Sequence, residues 1–262
     1  MNIEIFQFKV EPANVTLNEE TILNWFEKYV SNDTDLVVLP EMWNNGYALP
    51  QLHQLADKNL TRSYAFISKL AKQFQVDIVA GSVSNSKNDH IYNSAFTVTK
   101  DGTLVNSYDK VHLVPMLDEP RFMTPGTTVP EKFKLSNGIE ATQIICYDLR
   151  FPELLRYPAK NGAQIAFYVA QWPEVRANHW LALLQARAIE NNIFIVACNG
   201  CGDDGNTLYA GKSAVINPNG EIVEQLKEKE GHITCEIDLN EVEQQRSAIP
   251  VFDNLRTDLY KH

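Results

Sequence analysis

Ala141-Thr-Gln-Ile-Ile-Cys146-Tyr-Asp-Leu-Arg150-Phe-Pro-Glu153-Leu-Leu155 is the stretch that decides the reading of this chain. An apolar, strand-like run stops at a cysteine, and helical spacing resumes a few residues later through Leu154, Leu155 and Tyr157. Pro152 is tolerated in a first helical turn, where its missing N–H has no intrahelical partner to lose. A thiol at a strand end beside a helix start is where reactive cysteines are often found, because helix N-termini and nearby cations favour the thiolate. The competing reading is a small buried core residue, and for a lone cysteine that is the default. The rest of the chain has to choose between them.

Working outward, Ile3 to Phe8 is apolar at both parities and reads as a strand buried on both faces. Thr16-Leu-Asn-Glu19 has the capping-box pattern for a helix running through Ile22, Leu23, Phe26 and Val30. Asp35 to Pro40 is a short buried strand ending at Glu41, a helix follows from Thr61 to Phe74, and Val76 to Gly81 is the next strand. Tyr92 to Thr99 and Thr103 to Asp109 form a hairpin across Asp101-Gly102. Residues 110 to 130, rich in Pro, Met and Thr, read as a long loop, a feature that compact domains usually keep for function. Beyond the cysteine come a strand (Gln164 to Ala170), a helix (Arg176 to Asn191) and a strand (Asn192 to Cys198). A hairpin across Asn217 to Gly220, a last strand from His232 to Ile237, and a polar tail from about 241 to 262 complete the chain. With no linker or repeat, this βαβ rhythm predicts one α/β domain over 1–262, with helices covering sheets on their outer faces.

The bulk numbers remove several functions. A chain of 262 residues that is 44% hydrophobic can bury a large core, while a net charge of -10 argues against nucleic acid or an anionic membrane as partner. No apolar run is long enough to span a bilayer, and the start lacks a signal-peptide pattern. Four cysteines, at 146, 198, 201 and 235, do not make a disulfide framework in a chain this size. A reducing cytoplasm is the natural setting, in which the sequons at Asn14 and Asn59 carry no meaning.

Three motifs are decoys. Gly200-Cys-Gly202-Asp-Asp-Gly205 matches a dinucleotide fingerprint, but two aspartates sit where pyrophosphate would and strand-like residues follow. Gly211-Lys-Ser213 resembles a phosphate-loop ending with its upstream glycine out of register. Cys198-Asn-Gly-Cys201 has no second half to complete a zinc site, so strand-end packing is its reading. His179, inside a helix, reads as a structural hydrogen-bonder.

With no histidine base compelled by local context, a nucleophilic cysteine needs another group to take its proton. Glu41, Lys110 and Cys146 each follow an apolar strand. If those strands are neighbours in one sheet, their ends place base, cation and nucleophile in one pocket. Each residue also has a bland reading, as surface charge, edge charge and packing.

Four ordered blocks now carry a resemblance: Leu39-Pro-Glu41-Met-Trp, Tyr108-Asp-Lys110-Val-His-Leu, Cys146-Tyr-Asp-Leu-Arg-Phe-Pro-Glu153 and Ala186-Arg-Ala-Ile-Glu190-Asn. Together with Gly211 to Glu221 they are similar to the signature blocks of the nitrilase, or carbon–nitrogen hydrolase, superfamily, over residues 3 to about 240. The resemblance implies a four-layer α-β-β-α sandwich and a Glu-Lys-Cys triad of Glu41, Lys110 and Cys146, with Glu119 as a second glutamate. It calls for no cofactor and no metal, since Lys110 takes the electrostatic role, and it implies a homodimer. Gln171 to Arg176, with His179-Trp180, resembles the omega-amidase branch, which hydrolyses the terminal amide of 2-oxoglutaramate or 2-oxosuccinamate. The alternatives are another amidase of the superfamily (carbamoyl-amine or aliphatic), a nitrilase, or a non-catalytic binding protein of this fold.

In that reading the backbone N–H of Tyr147 joins Lys110 as oxyanion donor, and the far carboxylate of the small-molecule amide falls to Arg176. Trp172 reads as a pocket wall or a core residue. Arg150 reads instead as a structural ion pair with Asp148, Glu153 or Glu190.

Overall fold

The computed structural model describes residues 1–259; the end of the expected tail lies outside the described residues. The first half of the chain builds one sheet and the helices on its outer face. In order it contains β1 (Asn2–Gln7), α1 (Val15–Tyr29), β2 (Leu36–Val38), α2 (Leu52–Leu55), β3 (Asp57–Lys58), α3 (Thr61–Phe74), β4 (Asp77–Lys87), β5 (His90–Val98) and β6 (Leu104–Asp109). β1, β2 and β4 run parallel in the middle, and β4, β5 and β6 continue antiparallel.

The second half repeats the plan. α4 (Glu119–Phe122) leads into β7 (Lys132–Lys134), β8 (Glu140–Ile145), α5 (Glu153–Lys160), β9 (Ile165–Ala170), α6 (Ala177–Asn191) and β10 (Phe194–Asn199). Then come β11 (Cys201–Asp203), β12 (Leu208–Ala210), β13 (Ala214–Ile216), β14 (Ile222–Gln225), β15 (Gly231–Glu236) and α7 (Asn240–Ala248). β8, β9 and β10 are parallel and form the middle of the order β14-β13-β10-β9-β8-β7, while β15 returns to pair with β1 at the edge of the first sheet. Both sheets are therefore mixed, parallel where helical crossovers feed them and antiparallel at their edges.

Packing makes four layers. The outer face of the first sheet buries Phe6, Phe8, Val37 and Ile78 against Ile22 and Phe26 of α1 and Ile67, Leu70 and Ala71 of α3. α5 and α6 contribute Leu155, Trp180, Leu184 and Ala188 to the other large core, which also holds Ile3, Ile5, Val38 and Val79 of the first sheet. β1, β4 and β5 stack on β10, β9 and β8. The apolar parity of β1 is thus divided between two cores, as a strand buried on both faces requires.

Several local expectations are corrected. Helix α1 begins before the anticipated capping box: Asn14 is the N-cap, and its side chain accepts the Leu17 N–H at 3.2 Å. Residues 110 to 130 are not structureless, since Pro115–Leu117 forms a 3-10 turn and α4 follows. The polar tail includes α7, which buries Val242. The strand expected to stop at Gly81 runs on to Lys87 as a polar strand whose Ser82, Ser84 and Asn85 are buried.

One buried polar residue joins the two sheets. Gln143 of β8 accepts from Thr97 Oγ1 and Asn106 Nδ2, both at 3.0 Å, and donates to the Gly81 carbonyl at 2.9 Å. Replacing it with alanine takes the partner from the buried Thr97 hydroxyl and Gly81 carbonyl and from the half-buried Asn106 amide. Gln143→Ala is expected to lower unfolding stability by about 1–3 kcal/mol in urea melts; an unchanged midpoint would show that the bridge carries no weight.

Candidate active site

Glu41 stands three residues beyond β2, in a turn shaped by the neighbouring strand. Met42, at φ 53, is left-handed, and its N–H donates to Ser82 Oγ at 3.0 Å. Asn44 and Asn45 hydrogen-bond Ser84 from the same turn. Gly81 lies against it with φ +57, where a Cβ would sit 1.9 Å from the Pro40 carbonyl oxygen. Only glycine tolerates both that conformation and that approach. The polar residues of β4 are buried because they build the Glu41 turn.

Lys110 follows β6, and its side chain is entirely buried. Nζ lies 2.9 Å from Glu41 Oε1 and 2.8 Å from Glu119 Oε1. Glu119, the first residue of α4, also accepts Tyr47 Oη–H at 2.8 Å and, through Oε2, the Val114 N–H at 2.8 Å. Glu41 accepts Asn93 Nδ2–H on Oε1 and the Gln171 N–H on Oε2, both at 2.7 Å. Gly126 closes the Lys110 loop; a Cβ there would lie 2.1 Å from the Asp109 carbonyl.

Cys146 ends β8 with φ 44 and opens a 3-10 turn, Cys146–Arg150, that intervenes before α5. Tyr147 is second in that turn, where an N–H has no carbonyl of the turn to reach. Glu41 and Lys110 belong to the first sheet and Cys146 to the second, so the three strands are not neighbours in one sheet. They converge because the sheets stack face to face and their strand ends meet.

Two further blocks of the sequence acquire a physical meaning here. Asp148 accepts from Tyr108 Oη at 2.7 Å and from the His112 N–H at 2.9 Å, with His112 Nδ1 at 2.8 Å. This ties the turn of Cys146 to both flanks of Lys110, and His112 also stacks on Phe151 with ring centres 3.5 Å apart. Arg187 of α6 donates to the Leu149 carbonyl at 2.7 Å and pairs with Glu190 at 3.0 Å, anchoring the same turn from below.

Electrostatics corrects the expected thiolate. Burial pushes the Cys146 thiol well above its ordinary range, the Glu41 carboxylate adds to this, and the Lys110 ammonium only partly opposes it. For Lys110 itself, burial favours the neutral amine, but the Glu119 and Glu41 carboxylates outweigh it and hold the ammonium well above its usual range. Glu119 is raised, first by burial and then by Glu41, against the pull of Lys110. The group is therefore a thiol held toward its neutral form, beside a carboxylate and an ammonium held toward its charged form. Such a set can add sulfur to a carbonyl carbon, take up the thiol proton and offset charge on the oxygen.

Cys146 opens into a pocket lined by Tyr147, Arg150, Gln171, Trp172 and Arg176, with Val114, Met116 and Leu117 on the loop side. Trp172 is buried and donates Nε1–H to the Arg176 carbonyl at 2.8 Å, so it is both wall and core. Arg150 overturns its structural reading. Among the described residues it pairs with none of Asp148, Glu153 and Glu190; Asp148 is taken by Tyr108 and His112, and Glu190 by Arg187. Its guanidinium lies 4.9 Å from the Trp172 ring centre and 3.3 Å from His179 Nδ1. Sequence reasoning missed Asn93, Gln171 and Tyr47 as partners of the two carboxylates. A polar residue inside an apolar strand was the available signal for Asn93; nothing local marks the other two.

The decoys fall outside this pocket. Gly200 to Gly205 covers β11 and the start of its turn into β12, with no helix following. Cys198 is buried at the end of β10, its thiol 3.3 Å from the Phe6 carbonyl, and Cys201 is buried too. No helix among the described residues is long and apolar enough to cross a membrane.

Comparison with known proteins agrees with the geometry. The chain matches the carbon-nitrogen hydrolase family over residues 5–247. It is 65% identical to a "Hydrolase in agr operon" of Staphylococcus lugdunensis over 88% of this chain and 99% of that one. It is 39% identical to a 2-oxoglutaramate amidase of Bacillus subtilis over 98% of each chain. Among solved structures, Saccharomyces cerevisiae Nit3, a member of branch 10 of the nitrilase superfamily, superposes with a TM-score of 0.90 at 29% identity, covering 98% of this chain and 96% of that one. A family match across nearly the whole length, on a sandwich that gathers Glu41, Lys110, Glu119 and Cys146, makes this chain a member of the carbon-nitrogen hydrolase family.

Proposed function

We propose that this protein is an omega-amidase that hydrolyses the terminal amide of a short 2-oxo acid amide, such as 2-oxoglutaramate or 2-oxosuccinamate, and releases ammonia. The observation that carries the reading is the pair of guanidiniums, Arg150 and Arg176, lining the same pocket as Cys146 with no carboxylate partner among the described residues. A substrate with an amide at one end and a carboxylate at the other fits that polarity, since guanidinium binds carboxylate through paired, charge-assisted hydrogen bonds. Trp172 supplies an apolar wall for the intervening carbons. The 2-oxoglutaramate amidase of Bacillus subtilis supports the same substrate class.

The mechanism follows from the charges. Because the thiol rests neutral, its proton passes to Glu41 as Cys146 Sγ attacks the amide carbon, rather than beforehand. The carbonyl oxygen gathers negative charge, which Lys110 and the Tyr147 N–H offset; one such donor is typically worth about 3–4 kcal/mol. Protonated Glu41 then returns the proton to the departing nitrogen, ammonia leaves, and Cys146 holds the acyl group as a thioester. Water, losing its proton to Glu41, attacks the thioester; the acid is released and the thiol recovers its proton. Lys110 keeps its charge throughout, because two buried carboxylates flank it, and Glu119 holds it in place. The cysteine usage of the sequence carries a cytoplasmic setting with this reading, and the family resemblance a homodimer.

Cys146→Ala is expected to reduce ammonia release from 2-oxoglutaramate by at least about 10³-fold, as loss of a nucleophile does elsewhere. Substantial residual turnover in that variant would remove Cys146 from the chemistry. Arg176→Ala and Arg150→Ala should each raise KM for 2-oxoglutaramate by about 10-fold or more while leaving KM for an uncharged amide such as butyramide nearly unchanged. A panel of carbamoyl amines and nitriles, none turned over faster than the keto-acid amide, completes the test of substrate class. A maleimide should label Cys146 more slowly at pH 7 than it labels free cysteine, with the rate rising as pH increases, because burial holds the thiol protonated.

A further inference from the structure

Asn93 lies in the middle of β5, buried to 1% exposure, and serves both charged partners at once. Its Nδ2–H donates to Glu41 Oε1 at 2.7 Å, and its backbone carbonyl accepts the Lys110 N–H at 2.9 Å. That carboxylate oxygen is also the one Lys110 Nζ engages. The amide oxygen of Asn93 is buried with no partner among the described residues, so the one side-chain hydrogen bond the residue makes with them is the one to Glu41. An asparagine kept for strand packing alone would not leave an acceptor stranded while aiming its donor at a carboxylate. Resting on the reading of Glu41 as the base, we infer that Asn93 is the positioning residue that holds Glu41 in place and in its charged form between proton transfers.

The physical case turns on what Lys110 does in each state. At rest its ammonium is shared between Glu41 and Glu119. When the substrate oxygen becomes negative, the same ammonium is drawn toward it and its hold on Glu41 weakens. The Asn93 amide carries no charge for the oxyanion to attract, and so it stays on Glu41 together with the Gln171 N–H. The other titratable groups around Glu41 are Glu119, Cys146, Tyr47 and Tyr209. Each of them is neutral or negative and gives the carboxylate no compensating charge. Removing the Asn93 donor withdraws a hydrogen bond that favours the charged carboxylate, so proton uptake begins at higher pH.

The test is the pH profile of kcat/KM for 2-oxoglutaramate in wild type, Asn93→Leu and the isosteric Asn93→Asp. Both variants should shift the acid limb to higher pH, Asn93→Leu by about one unit, equivalent to a tenfold loss on the acid side. Asn93→Asp should move it further, since its carboxylate repels Glu41. In Asn93→Leu the loss should largely vanish above the limb. A loss of equal size at every pH would overturn the inference, because a packing defect does not titrate; so would a wild-type limb in both variants. Should Asn93→Leu fail to fold, Asn93→Asp alone decides. Glu41→Gln separates the two levels of argument. If it stays active, the reading of Glu41 as base fails. If it is inactive while the Asn93 variants keep the wild-type limb, only the role of Asn93 fails.

Discussion

A lysine ammonium with no exposed surface, held 2.9 Å from one carboxylate and 2.8 Å from another, is the constraint that the rest of this structure satisfies. Buried charges are tolerated only when paired and fully hydrogen-bonded, and losing one partner of a buried pair typically costs about 3–5 kcal/mol. Two carboxylates on one cation leave an excess negative charge, which the surroundings answer with neutral donors. Asn93 and the Gln171 N–H supply Glu41; Tyr47 and the Val114 N–H supply Glu119. The 3-10 turn and short helix in residues 110 to 130 follow from this demand, because Glu119 must be brought back over Lys110.

The same arrangement decides the chemistry available to Cys146. Flanked by carboxylates and almost wholly buried at the floor of its pocket, the thiol keeps its proton, and the carboxylate that raises it is also the group able to receive that proton. A cysteine activated beforehand by a cation would need the opposite balance of charge. The Lys110 charge matters as much: an ammonium held well above its usual range by two carboxylates is no base at neutral pH, and it is available when a carbonyl oxygen turns negative.

Supporting bonds run between distant segments of the chain. Asp148 grips both sides of Lys110 from the turn of Cys146, Arg187 holds that turn from α6, and Gln143 fixes one sheet against the other. Each joins groups far apart in sequence, so the alignment of sulfur, carboxylate and ammonium is a property of the stacked sheets. No single loop sets it.

Much of this was legible in the residues themselves. The strands Ile3 to Phe8 and Gln164 to Ala170, the helices over 61–74 and 176–191, and the hairpin across Asn217 to Gly220 follow, to within a residue or two at their ends, from apolar period and turn chemistry, which are local. Four ordered blocks around Glu41, Lys110 and Cys146 identified the family, because such a combination is specific where each residue alone is not. Polar strand residues escaped: Ser82 and Ser84 look exposed in sequence, yet they are buried because they hold the Glu41 turn. The partner of Arg150 also escaped, since three nearby acids seemed free until folding assigned Asp148 and Glu190 elsewhere. Sequence by itself determined which groups this protein carries and on which elements, because periodicity and motif spacing are written along the chain. Only the tertiary structure decided which charge meets which, whether the thiol keeps its proton, and which arginines remain open, because those depend on distance and burial between segments that sequence keeps far apart.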